Sequence, residues 1–338
     1  MSRRLAEVAR RVGVSEATVS RVLNGKPGVS DATRESVLTA LDVLGYERPT
    51  KLRGERARLV GLVIPELQNP IFPAFAEVLG AGLAQNGMTP VLCIQTAGGV
   101  SESDFVDLLM QQRVAGVIFA GGLYSQRDAD HEHYERILDR KLPAVLLNAA
   151  IEHLQMPQIV CDDASAMEQA MGHLLALGHQ RIGLVLGPED HVPSERKLHT
   201  AQLIAADAGI ELGPEYVVRS QYSLQAGQSA ANKLVARGVT GLVCASDPLA
   251  LGAIRAVRRA RLSVPGDVSV VGYDDSAFMS CTEPPLTTVR QPIEAMGRAA
   301  VDLLMRQIGG ESTQSDELLF EPELVVRRST GAAPTSPV

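Results

Sequence analysis

The sequence predicts an α/β protein, with a small three-helix module at the N-terminus followed by a larger body of two similar lobes built on parallel sheets. Three observations lead there. The first 46 residues show helical apolar spacing broken by turn signals, with no strand pattern. From Leu59 onward, short β-branched runs alternate with amphipathic helical stretches. Motifs in the first half of that body recur in the second at nearly one offset.

Leu5, Val8, Ala9 and Val12 fall at i, i+3, i+4 and i+7, one apolar stripe on a short helix that Gly13 ends. Ser15 is placed to cap a second helix, on which Val19, Val22 and Leu23 face inward. Its other face carries Ala17, Ser20, Arg21 and Asn24, small or hydrogen-bonding groups that suit a major groove. Ser30 caps a third helix with Val37, Leu38, Leu41 and Leu44 as its apolar side, and Gly45 ends it. Three short helices around one small core form a helix-turn-helix module.

After Tyr46, residues 47–58 are polar and basic and read as a linker. In the body, Leu59–Ile64, Pro90–Gln95, Val117–Phe119 and Ala144–Leu147 read as strands, and so do Arg181–Leu186, Tyr216–Arg219, Leu242–Cys244 and Val268–Val271. GLVIPE from Gly61 returns as GLVLGPE from Gly183, and GVIFA from Gly116 as GLVCA from Gly241. Two such lobes place a ligand cleft between them at the strand carboxyl ends.

The chain of 338 residues is 45% hydrophobic, enough for two core-forming domains and a small extra one. Its net charge of -7 conceals an asymmetry: residues 1–58 hold twelve Arg or Lys against seven Asp or Glu, +5, which leaves -12 for the remainder. Only the N-terminal end suits a polyanion. Cys93, Cys161, Cys244 and Cys281 lie far apart without C-x-x-C spacing and read as buried thiols in a reducing cytoplasm. No apolar run approaches the ~20 residues of a membrane span, and no signal-peptide pattern is present, so a cytoplasmic protein is expected.

The run from Val8 to Pro49, with ATVSRVLN at 17–24 and LGY at 44–46, resembles the DNA-binding headpiece of the lac-repressor (LacI) family of bacterial regulators. The likeness continues through His173-Leu174 with Leu177-Gly178-His179, Val270–Asp275 and Pro284–Val289, and covers residues 5–330. It implies a periplasmic-binding-protein-like core and a homodimer on near-palindromic operator DNA. It also implies lobe 1 at about 59–160 and 291–319 and lobe 2 at about 161–290 and 320–330; residues 331–338 lie beyond the likeness and read as a disordered tail. Carried over by position, Glu16, Ala17 and Arg21 meet base edges, while Thr18 and Ser20 suit holding phosphates or the turn. Glu16 has the alternative of serving only as a helix-dipole partner. In the linker, Leu52 matches a minor-groove wedge, although the segment is about three residues shorter than the family's common form; a tether whose arginines, Arg53 among them, contact phosphates is the alternative.

A cleft for a neutral polyol needs carboxylates, amides and an aromatic face. The resemblance places Gln68, Asn69, Phe72, Tyr124, Asn148, Ser246, Asp274 and Gln291 there, with Asp247 as a helix cap. The family's effector-clamping arginine falls on Lys197, beside Arg196, and lysine cannot form arginine's two-bond fork. Other signals carry less. Gly80-Ala81-Gly82 reads as helix packing, His131 and His133 as a solvated helix start, and the Asp162-Asp163 and Asp274-Asp275 pairs lack any nucleophile or metal signature. No catalysis, cofactor or metal is expected.

The expected function is a dimeric repressor of sugar utilisation, similar to maltose or maltodextrin repressors, released from its operator by a small sugar. Two other readings are a corepressor-type regulator and a sugar-binding protein without DNA function.

Overall fold

The computed structural model describes residues 2–23, 26, 28–43, 58–95, 98–149, 154–313 and 317–335. The chain divides into two compact units, Met1–Leu59 and Val60–Val338. The first unit holds α1 (Ser2–Val12), α2 (Glu16–Leu23) and α3 (Asp31–Val43). Gly13 takes φ 76° after α1, a conformation that favours glycine. Ser15 Oγ accepts from Thr18 N at 3.1 Å to cap α2, and Ser30 Oγ accepts from Thr33 N at 3.3 Å to cap α3. Val8, Ala9, Val19, Val22, Val37 and Ala40 close a core of their own, with Val12, Val14, Leu23 and Val29 packed on it.

The second unit begins with β1 (Arg58–Ile64, entering from the first), α4 (Ile71–Gln85), β2 (Met88–Ile94), α5 (Glu102–Gln111), β3 (Gly116–Phe119), α6 (Glu132–Asp139), β4 (Ala144–Leu147) and β5 (Gln158–Cys161). It continues with α7 (Asp163–Ala176), β6 (Ile182–Leu186), α8 (Val192–Ala208), β7 (Val217–Arg219), α9 (Leu224–Val235), β8 (Gly241–Cys244), α10 (Asp247–Arg259) and β9 (Ser269–Asp274). It ends with β10 (Thr287–Arg290), α11 (Ile293–Ile308), β11 (Glu317–Phe320) and β12 (Glu323–Val325). Two six-stranded sheets result, ordered β11-β5-β4-β3-β1-β2 and β12-β10-β9-β8-β6-β7. Strands β3, β4, β8 and β9 are buried along their whole length, as the helices on both faces require. In each sheet the order reverses direction beside the first strand, between β1 and β3 and between β6 and β8. A crevice opens at the carboxyl ends of the strands at such a reversal.

The chain passes between the sheets after β5, after β10 and after β11. Helix α11 follows β10 yet packs on α4 and on β3, β4 and β5 of the first sheet. Strand β5 escaped the sequence reading because four residues after a proline show no usable alternation. Strands β11 and β12 sit at sheet edges with half-exposed patterns that carry equally little signal.

Three expectations are corrected. The segment at 331–335 is not a loose tail: Gly331 N donates to Ser269 Oγ at 3.0 Å, and Ala333 N donates to the Leu177 carbonyl at 2.9 Å. Backbone groups that find partners on a packed lobe order the chain there. His131 and His133 are buried, not solvated, because α6 turns its first residues toward Glu102 and the 123–126 turn. Of the four cysteines, Cys281 is exposed. Gly82 packs against Val301, as expected of a helix contact. Among the described residues no helix is long and apolar enough to cross a membrane.

Candidate functional site

In the second unit, the loops at the carboxyl ends of β1, β3, β4, β6, β8, β9 and β10 surround a cavity of about 260 Å³ between the two sheets. Asn69, Phe72, Asn148, Lys197, Ser246, Asp274 and Gln291 line it, seven of the ten residues expected to. Glu66, Asp163, His191, Tyr222 and Tyr273 line it as well.

Asp274 ends β9 with φ 109°, followed by Asp275 at 53°, and Asn148 after β4 takes 70°. Non-glycine residues rarely hold such angles, which cluster where side chains are aimed at a ligand. Gln291 Nε2 donates to Asp274 Oδ1 at 2.7 Å, and the Asn69 amide also bonds this carboxyl. Burial pushes the Asp274 carboxyl well above the usual carboxylate range, the charge of Asp247 adds to the effect, and Gln291 and Lys197 partly offset it. Asp247 stands behind, accepting from Ser276 N at 2.6 Å and Thr288 Oγ1 at 2.6 Å; burial raises it to about 6. The cap of α10 is Ser246, whose Oγ accepts from Leu249 N, and not Asp247.

Lys197 is 5% exposed, bonds Asp163 Oδ1 and holds its ammonium 4.2 Å from the centre of the Tyr273 ring. Burial raises the Asp163 carboxyl and the Lys197 charge partly offsets the rise. His191, Ser194 and Tyr222 form a triangle, with Tyr222 Oη 3.0 Å from Ser194 Oγ and 3.1 Å from His191 Nδ1. Burial drives the His191 imidazole down to about 3, and Lys197 and Arg219 add to it, so this ring is neutral. Burial also pushes the Cys161 thiol up to about 12, which leaves it unreactive.

Among the described residues, three buried oxygens of the lining have no hydrogen-bond partner: Asn148 Oδ1, Asp163 Oδ2 and Gln291 Oε1. All are acceptors, so the cavity is complementary to a molecule that offers hydroxyl donors. Phe72 supplies an apolar wall. Gly121, at φ 129°, permits that placement, since a Cβ there would lie 3.0 Å from the Phe72 ring.

Three expected residues lie elsewhere. Tyr124 is fully buried in an edge-to-face cluster with Phe119 and Tyr134, its hydroxyl donating to the Leu147 carbonyl. A buried phenol needs an acceptor, and the end of β4 provides one behind the cavity wall. Arg196 points away from the cavity and pairs with Glu317 of β11, because adjacent residues on a helix diverge by about 100°. Gln68 is exposed, and Asn69 is the residue that turns inward there.

In the first unit, Glu16, Ala17 and Arg21 are exposed on α2, while Thr18 and Ser20 are half-buried. The Thr18 hydroxyl lies 2.9 Å from Ser15 Oγ at the cap. Asn24, Leu52 and Arg53 lie outside the described residues, as do Leu44, Gly45 and Tyr46.

Residues 4–49 match the family described as bacterial regulatory proteins, lacI family, and residues 171–330 match the periplasmic binding protein-like domain. The chain is 52% identical to the HTH-type transcriptional regulator reg1 of Streptomyces lividans, over 99% of this chain and 98% of that protein. It is also 52% identical to the HTH-type transcriptional regulator MalR of Streptomyces coelicolor, with the same coverage. Among solved structures, a complex of the transcriptional regulator CelR with cellobiose superposes with TM-score 0.74 at 32% identity, covering 96% of this chain and 99% of that one. A lac repressor dimer bound to operator and the anti-inducer ONPF superposes with TM-score 0.77 at 30% identity, covering 96% and 98%.

Proposed function

Because the chain belongs to the lacI family of bacterial regulatory proteins, we propose that it represses sugar-utilisation genes as a homodimer and leaves its operator when a neutral sugar fills the cavity between the lobes. The resemblance drawn from ATVSRVLN and the body motifs is borne out: the protein is a DNA-binding transcriptional regulator and not an enzyme. The observation that carries the ligand class is the trio of unpartnered acceptors, Asn148 Oδ1, Asp163 Oδ2 and Gln291 Oε1, beside the Phe72 wall. Hydroxyl donors of a pyranose satisfy the oxygens, and its C–H face meets the ring. The cellobiose in the CelR complex supports a saccharide as the occupant.

Maltose or a short maltodextrin is the effector we favour, on the likeness to MalR. Asn69, Phe72, Asn148, Asp163, Lys197, Ser246, Asp274 and Gln291 hold it. Arg21, with Glu16 and Ala17, reads base edges, and Leu52 and Arg53 engage the adjoining groove and backbone. Sugar binding shifts the population away from the DNA-competent arrangement by the difference in its affinity for the two states. Fluorescence anisotropy of a labelled operator, titrated with maltose, maltotriose and cellobiose, tests this. Release on sugar addition is expected; tighter operator binding makes the ligand a corepressor and overturns the proposal.

A further inference from the structure

Behind the cavity wall lies a buried polar cluster centred on Glu102, which does not itself line the cavity. Glu102, the first residue of α5, is 2% exposed. Its Oε1 lies 2.8 Å from His133 Nε2 and accepts from the Tyr134 hydroxyl, and its Oε2 accepts from Gln95 Nε2 and, at 3.2 Å, from Leu123 N. Tyr134 Oη in turn accepts from Tyr124 N at 3.1 Å. From the other side, His131 Nε2 donates to the carbonyls of Leu123 and Gln126, each at 3.1 Å. Gly122 makes room for the carboxyl group, because a Cβ there would overlap Glu102 Oε2. A buried carboxyl group is expensive unless its lone pairs are occupied, and here one partner, Leu123, belongs to the turn at 121–126 and another, Tyr134, braces it through Tyr124 N.

That turn does two things. Gly121, Gly122, Leu123, Ser125 and Gln126 line the cavity. Immediately after it the chain reaches the second lobe, where Gln126 forms an antiparallel bridge with His191 and Arg127 N donates to the Asp190 carbonyl at 2.9 Å. His191 is itself a lining residue.

We infer that Glu102 is a positioning residue, the hub that holds the 121–127 turn both as cavity wall and as the strap joining the lobes through Arg127 and Asp190. It acts through Leu123, Tyr134 and His133 and touches no ligand. Glu102 sets how well the strap forms, and so how readily the lobes hold together around a bound molecule. The effect on ligand rests on the sugar reading above, whereas the effect on the strap does not.

Amide hydrogen exchange of the full-length, ligand-free protein, resolved to Leu123 and Arg127, tests the strap directly. Glu102→Ala is expected to raise exchange at both amides by about tenfold, the scale of one lost hydrogen bond, with α10 amides unchanged. Glu102→Gln keeps the shape and an acceptor and is expected to stay within about threefold of the unsubstituted protein. Should Glu102→Ala fail to fold, Tyr134→Phe removes the hydroxyl that links Glu102 to Tyr124 and is expected to raise Leu123 and Arg127 exchange by several-fold. Exchange that is unchanged at Arg127, or raised equally at α10, overturns the inference. Calorimetry with maltose is a separate readout. If maltose binds the unsubstituted protein, affinity is expected to fall in Glu102→Ala and return in Glu102→Gln, and equal affinity in all three also overturns it. If maltose binds none of them, the ligand reading fails and the exchange result stands alone.

Discussion

Removing Asp163 should cost far more than removing Lys197, its partner. Both residues are 5% exposed, on the cavity floor beside Tyr273. In Asp163→Ala the ammonium of Lys197 loses its ion-pair partner and keeps the Tyr273 ring, 4.2 Å away, and its attraction to Asp274, a carboxyl that burial itself pushes toward the protonated form. Losing one member of a buried pair costs about 3–5 kcal/mol, and about 3 kcal/mol is expected here because cavity water rehydrates part of the charge. In Lys197→Met the orphaned carboxyl group has another outlet. Burial already raises its pKa, so it takes up a proton, and the cost falls to about 1–2 kcal/mol. The sign of the pH dependence follows. A carboxyl whose folded pKa lies above its unfolded value contributes stability at low pH that is lost as pH rises through the folded value. Lys197→Met should therefore recover stability relative to the unsubstituted protein as pH falls. The double variant Asp163→Leu with Lys197→Met replaces the pair with apolar volume and should regain most of what Asp163→Ala loses. Urea unfolding of the full chain at pH 5 and pH 7 measures all four proteins. A loss below about 1 kcal/mol in Asp163→Ala, or a double variant no more stable than that single one, refutes a buried pair of this strength.

Three further outcomes are expected. Gly252→Ala should destabilise the second unit by about 3 kcal/mol, the upper end for overpacking, because a Cβ there meets the Leu224 carbonyl and Gln228 N on α9; a loss under about 1 kcal/mol in urea would show that the helices simply separate. His191, lowered to about 3 in the folded state, binds protons more readily when unfolded, so its contribution is full above pH 6.5 and declines as pH falls toward 3. The unfolding free energy of the unsubstituted protein minus that of His191→Gln should then drop by about 2 kcal/mol from pH 7 to pH 5, and a flat difference contradicts a neutral, buried ring. Arg21→Ala should weaken operator binding by about 1–3 kcal/mol and relax base preference at one position, while uniform weakening across operator variants would reassign Arg21 to a phosphate.

The headpiece was legible because its rules act over a few residues. Ser15 and Ser30 sit where free amides must be capped, Gly13 sits where φ turns positive, and Val8, Val19 and Val37 each lie on the apolar side of their own helix. Most strands were legible for the same reason, and the family resemblance laid over them placed Asn69, Phe72, Asn148, Ser246, Asp274 and Gln291, all of which line the cavity. Position along a strand does not say which way a side chain turns, however. Tyr124 follows β3 as Asn148 follows β4, yet its phenol finds the Leu147 carbonyl and stays behind the wall. Arg196 and Lys197 are neighbours in sequence, and only the packing of α8 sends one to Glu317 and the other to Asp163.

His191, Tyr222 and Glu102 carry no local pattern at all. Tyr222 matters because β6 and β7 pair in register and bring it to the start of α8, where His191 precedes the helix and Ser194 lies in its first turn. Glu102 matters because α5 and α6 bring it against His133 and Tyr134 from some thirty residues away. By itself the sequence determined the family, the headpiece, the repeated lobes and most cavity positions, through short-range capping, periodicity and motifs. The tertiary structure decided which lining groups pair and which oxygens stay unpartnered, because those outcomes depend on sheet register and burial, which no short stretch of sequence encodes.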